Sequence, residues 1–165
     1  MDAGDAWIED LYQRYGPALL RRARTLLGDE AAAWDAVQEV FVRALQAGGQ
    51  FRHEASPMSW LYRITTNHCL NWLRDGGRRS QLLREQLGAA PLPPPDGELS
   101  VAMREVLRLL PREVSEIAIY SYVDRMGHDE IAALLGLSPR TIRNRLREFQ
   151  TRAQSALGLT LEVAT

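Results

Sequence analysis

Lysine is missing altogether: all 20 basic residues of this 165-residue chain are arginine. That absence reads as codon bias in a GC-rich coding sequence, not as selection for bidentate contacts. With 21 acidic residues the formal net charge is −1, so composition alone gives no nucleic-acid signal. Cys69 is the one cysteine. It excludes an intrachain disulfide and with it a disulfide-stapled secreted scaffold. No apolar run is long enough to span a bilayer and no signal-peptide pattern is visible, which predicts a soluble, cytoplasmic protein. Strand signals are nearly lacking. There is no glycine-rich phosphate loop, no convincing carboxylate pair, and no His/Cys pair at an i, i+4 ligand spacing. Those absences argue against an enzyme, a metal site and a cofactor.

Helical periodicity runs almost throughout and predicts an all-α fold. Leu11, Tyr15, Leu19, Ala23 and Leu26 repeat at three and four residues and predict a helix over 7–27, stopped by Gly28. Asp29 is placed to cap a second helix carrying Ala33, Val37, Val40, Phe41 and Ala44, which Gly48 and Gly49 break. After the loop 50–55, Ser56-Pro57 reads as a cap and first-turn proline. The third helix follows through Trp60, Leu61, Ile64, Leu70 and Leu73 to Gly76-Gly77. Three consecutive prolines, Pro93 to Pro95, cannot continue a helix and favour an extended spacer. The chain therefore reads as two small helical domains, 1–77 and 99–165, joined by a proline-rich linker over 78–98.

The second domain ends in the most informative segment, HDEIAALLGLSPRTIRNRL over 128–146. Ile131, Leu134 and Leu135 give a first helix its apolar side, with Ala132 small enough for close crossing. Gly136 closes it, Ser138 caps the next helix, and Pro139 fits its first position. Ile142 and Leu146 then point inward and Arg140, Arg143, Asn144 and Arg147 outward. That is a helix-turn-helix whose recognition helix presents the side chains suited to guanine and adenine in the major groove. Residues 140–152 hold five arginines against the single Glu148, whereas 2–10 is acidic. A solvated basic face on an ordinary helical hairpin is the plainer reading of the same pattern.

Two helical bundles, the second ending in a helix-turn-helix, resemble the extracytoplasmic-function group of the sigma-70 family. Three segments carry the resemblance: DAVQEVFVRAL (35–45), FRHEASPMSWLYRITTN (51–67) and 130–146, with Leu110-Pro111 before the last helices. The resemblance implies an initiation factor that binds core RNA polymerase and promoter DNA, reading a duplex −35 element and a melted −10 strand. It implies that Asp35, Gln38, Glu39 and Phe41 contact the polymerase clamp, although Phe41 also lies on the apolar stripe of a core residue. By the same carry-over, Arg52, His53, Glu54, Ala55 and Ser56 line a pocket for a flipped −10 base, with Trp60 and Asn67 beside it. Unstacked bases are held by aromatic and amide groups, which this stretch supplies. Arg63, Arg74, Arg78 and Arg79 are placed to neutralise phosphates. At −35 the readers are Arg140, Arg143, Asn144 and Arg147, with Thr141 near the DNA backbone. An anti-sigma partner clamping both halves, a monomeric free state and no small-molecule substrate complete the expectation.

Departures from the family pattern bear on the site. His53 stands where glycine is usual and Pro57 where an aromatic is usual, so the base pocket differs in shape. Glu148-Phe149-Gln150 replaces a basic stretch, which removes an expected phosphate contact, and Asn71 replaces a frequent aspartate. Two other readings of the chain are open: a helix-turn-helix regulator that dimerises on a palindrome without polymerase, and a sigma-like adaptor that binds an anti-sigma protein and no DNA. His68-Cys69 is a weak candidate for a hydrolase pair, because neighbouring helix residues point about 100° apart. Cys69 reads better as a small core residue.

Overall fold

The computed structural model of the chain describes residues 3–47, 56–76 and 99–158. Helices α1 (Ala3–Leu27), α2 (Glu30–Ala47) and α3 (Pro57–Asp75) come first. They are followed by α4 (Val101–Leu109), α5 (Arg112–Ala118), a π-helical turn (Ile119–Val123), α6 (His128–Leu135) and α7 (Pro139–Leu157). No strand occurs among the described residues, and none of their helices is long and apolar enough to cross a membrane. The chain divides into two compact units, one holding α1, α2 and α3 to Trp72, the other the end of α3 and α4–α7. The proposed linker falls outside the described residues.

Local chemistry sets the helix ends. Asp29 Oδ1 accepts the Ala32 N–H at 2.8 Å at the start of α2, and Ser56 Oγ accepts the Ser59 N–H at 3.2 Å at the start of α3. Each satisfies a donor that the first helical turn leaves without an intrahelical partner. Gly28 and Gly136 adopt φ of 61° and 65°, the left-handed closure that a side chain resists. α1 starts at Ala3 instead of Trp7 and runs through Pro17. Proline there leaves the Gln13 carbonyl without its helical donor. Leu19, Ala23 and Leu26, all 0% exposed, hold the helix in place against that cost.

In the first unit α1 packs along α2, where Ala33, Ala36 and Ala44 are fully buried and permit close approach. Arg22 is the unexpected member of this core. It is 5% exposed, its Nη2 donates to Thr66 Oγ1 at 2.7 Å, and its guanidinium lies 4.6 Å from the Tyr62 ring centroid. A buried cation needs such partners, since desolvation alone would expel it.

The second unit is built around Tyr120, Ile131, Ile142 and Phe149, each 2% exposed or less. Ser115, fully buried, donates to the Leu107 carbonyl at 2.8 Å and so ties α5 to α4. In the π-helical turn the Asp124 N–H reaches five residues back to the Ile119 carbonyl at 3.1 Å. That turn buries Ile119 and Tyr120 while Tyr122 points outward and packs on Phe149, ring centroids 5.5 Å apart. Of the three apolar residues expected to pack from α6, Ile131 is buried, whereas Leu134 and Leu135 remain partly exposed.

Candidate nucleic-acid interface

The turn between α6 and α7 puts the recognition helix in place through its own side chains. Ser138 Oγ accepts the Thr141 N–H at 3.1 Å and lies 2.9 Å from Thr141 Oγ1, and Pro139 occupies the first position. At the other helix, the Gly127 N–H donates to Glu130 Oε2 at 2.7 Å. Ile142 and Leu146 are buried, which turns Arg140, Arg143, Asn144 and Arg147 to solvent on one face. Thr141 is half-buried, its hydroxyl engaged at the cap.

Pairing separates this face from much of the charged surface. Arg14 bonds Asp10 at 2.9 Å, Arg43 bonds Glu39 at 2.7 Å, and Arg24 and Arg108 pair with Glu30 and Glu105. On α7 itself, Glu148 draws in Arg145 at 3.2 Å and Arg152 at 2.9 Å. The side chains of Arg140, Arg143 and Arg147 have no hydrogen-bond or ion-pair partner among the described residues, and neither has that of Arg63 on α3. A guanidinium left without a carboxylate on a crowded charged surface keeps its donors for a ligand.

The first unit brings together part of the expected −10 set. Ser56 is exposed at the head of α3, Trp60 and Asn67 are half-buried on that helix, and Arg63 is exposed. Arg52, His53, Glu54, Ala55, Arg78 and Arg79 lie outside the described residues. Arg74 differs from expectation. It is partly buried, and its Nη2 donates to the Leu110 carbonyl at 2.8 Å, so it is not presented as a free phosphate ligand.

Asp35 and Gln38 are exposed on the outer side of α2 and Glu39 is partly so, paired with Arg43. Phe41 lies on the core side of the same helix. It is 7% exposed and packs edge-on against Tyr12, centroids 5.0 Å apart, so its ring belongs to the core. The apolar neighbours of Asp35 and Gln38 are instead Trp34, Val42 and Leu45, each more than 40% exposed. Their spacing from Asp35 and Gln38, read on a helical wheel, was the signal that could have found them.

His68 is half-buried and held below its usual pKa, chiefly by burial and then by Arg43, with Glu39 and Asp35 acting against. Cys69 is fully buried, and burial pushes its thiol up to about 12. Such a thiol stays protonated and inert at physiological pH. The native chain should therefore resist iodoacetamide at pH 8 while the guanidinium-unfolded chain is alkylated at its single thiol. Equal labelling of both, read by mass spectrometry, would mean that Cys69 is accessible. No group of three or more His, Cys, Asp or Glu among the described residues could hold a metal ion.

Two helical units, one presenting an unpaired arginine–asparagine face on a helix-turn-helix, define a modular DNA-binding protein. Comparison with known proteins narrows the class. Residues 11–79 match the sigma-70 region 2 family and residues 100–148 match sigma-70 region 4. The ECF RNA polymerase sigma factor SigM of Mycobacterium tuberculosis is 30% identical over 159 residues, covering 94% of this chain and 80% of SigM. CarQ, an RNA polymerase sigma factor of Myxococcus xanthus, is 28% identical over 99% of this chain and 97% of its own length. The fold is shared with the sigma factor RpoE, solved with the anti-sigma factor NepR from Bartonella quintana. There the TM-score is 0.59 at 23% identity, over 93% of this chain and 99% of that one. The chain belongs to the sigma-70 family and is an RNA polymerase sigma factor of the extracytoplasmic-function type. It directs core polymerase to promoters and initiates transcription from −35 and −10 elements.

Proposed function

We propose that the work is divided between residues 1–77, which bind core polymerase and capture the −10 strand, and 99–165, which read −35, with 78–98 linking them. The observation that carries the −35 assignment is the unpaired face of Arg140, Arg143, Asn144 and Arg147 on a capped recognition helix. Two bidentate-capable side chains at adjacent positions, Arg143 and Asn144, suit neighbouring base edges. On α2, Asp35, Gln38 and Glu39 supply the polar part of the polymerase contact and Trp34, Val42 and Leu45 the apolar part. That mixture is characteristic of protein interfaces. Arg52 to Ser56, with Trp60, Arg63 and Asn67, hold the melted −10 base, and Arg78 and Arg79 neutralise its backbone.

The chain acts in the cytoplasm beside its polymerase and carries no catalytic step of its own. An anti-sigma protein is its second partner. The RpoE–NepR complex and a CnrH–CnrY complex with a TM-score of 0.58 support that reading by fold. Copurification of an untagged native protein with the tagged chain would bear it out.

Run-off transcription with purified core polymerase on a genomic promoter pool, with and without the chain, tests the division of labour. New start sites sharing a two-part motif are the expected result. Tight binding to a palindromic duplex, with no polymerase-dependent initiation, would favour a regulator that acts alone.

A further inference from the structure

Arg125 stands apart from the other arginines. It is the only non-glycine residue with positive φ among the described residues, at 55°. That left-handed conformation crowds a Cβ, and glycine accepts it far better. The turn holding it is closed by the Met126 N–H, which donates to the Tyr120 carbonyl at 3.0 Å just after the π-helical turn. The side chain is exposed and has no hydrogen-bond or ion-pair partner among the described residues. No nearby carboxylate takes it up: Glu130 is committed to the Gly127 N–H. A long cation kept where glycine would be easier suggests that the side chain is used.

Its position indicates the use. Arg125 precedes His128, the first residue of α6, by three residues. In a helix-turn-helix the first helix crosses the DNA backbone while the second lies in the groove. α6 itself contains no arginine, and its first turn carries Asp129 and Glu130. The segment leading into α6 thus has one guanidinium to offer a phosphate, and it is unpaired.

We propose that Arg125 is a phosphate contact of the −35 duplex, fixing α6 on the backbone beside the groove that α7 reads. The inference rests on the assignment of the second unit as the −35 reader. Loss of this contact lowers affinity alike for every sequence, because a phosphate carries no base information.

The test is Arg125→Gly in the full chain assembled with core polymerase. Glycine keeps the backbone conformation, so the melting temperature should hold or rise by a few degrees, about 2–5 °C. Holoenzyme affinity for a promoter duplex should fall by about three- to tenfold at 0.15 M salt, and the slope of log K against log salt should be shallower by about 0.9. The selected −35 motif should not change. Arg143→Ala is measured in parallel. If Arg143→Ala alters the motif while Arg125→Gly leaves affinity and salt slope untouched, the Arg125 contact is overturned and the −35 reading stands. If neither variant has any effect, the −35 reading falls and takes the contact with it. A loss confined to holoenzyme assembly would make Arg125 a polymerase contact and likewise overturn the inference.

Discussion

Replacing Arg143 and Asn144 together with alanine should abolish the −35 half of promoter selection and leave the −10 half intact. Both side chains are exposed, and neither contributes to the core beneath Ile142 and Leu146. Each good bidentate base contact is worth about 1–3 kcal/mol of discrimination. Losing two costs about 2–6 kcal/mol, or about 30- to 20,000-fold in preference for the correct element. Transcription from a randomised promoter library, sequenced before and after selection, reads this directly. The upstream motif should flatten at two positions while the downstream motif is retained. Arg143→Lys separates charge from geometry. Lysine keeps the electrostatic attraction but lacks the planar fork, so overall affinity should survive better than base choice. Recovery of the wild-type upstream motif by the double variant would remove both residues from the reading face.

The parts of this fold legible in the sequence are those decided by a few neighbouring residues. Asp29, Ser56, Ser138 and Gly136 act within one helical turn of themselves, and all four do in the structure what their chemistry predicts. The recognition face is legible for the same reason, because Ile142 and Leu146 fix which side of α7 is buried. Where packing partners lie far apart in sequence, the pattern misleads. Phe41 belongs both to an apolar stripe and to a segment resembling a polymerase contact, and Tyr12, from another helix, decides for the core. Arg22 sits between Arg21 and Arg24 on α1, and its burial depends on Thr66 and Tyr62, 44 and 40 residues away. The π-helical turn leaves no mark in the periodicity of 112–123. It is imposed by the burial of Ile119 and Tyr120, and it places Arg125 in its strained turn.

Phe149→Ala should unfold the second unit and spare the first. Glu148-Phe149-Gln150 stands where the family has a basic stretch, yet Phe149 is 2% exposed and packs on Tyr122, whose hydroxyl accepts from Gln150 Nε2 at 2.8 Å. Truncating a buried phenylalanine costs about 3–5 kcal/mol through lost transfer energy and the cavity left behind. A domain of this size has about 3–9 kcal/mol of total stability, so the substitution removes at least a third of it and, toward the lower end of that range, all of it. The four tryptophans, Trp7, Trp34, Trp60 and Trp72, all lie in the first unit, which makes their emission chiefly a reporter of that unit. Far-ultraviolet circular dichroism should lose the share contributed by α4–α7, with tryptophan emission unchanged. Phe149→Leu keeps most of the volume and should cost about 1–2 kcal/mol, lowering the melting temperature without abolishing the unit. In transcription, Phe149→Ala should behave as a chain that binds core polymerase but ignores the −35 sequence. A simultaneous red shift of tryptophan emission would show that the two units fold as one, and the attribution of −35 reading to an autonomous second unit would then fail.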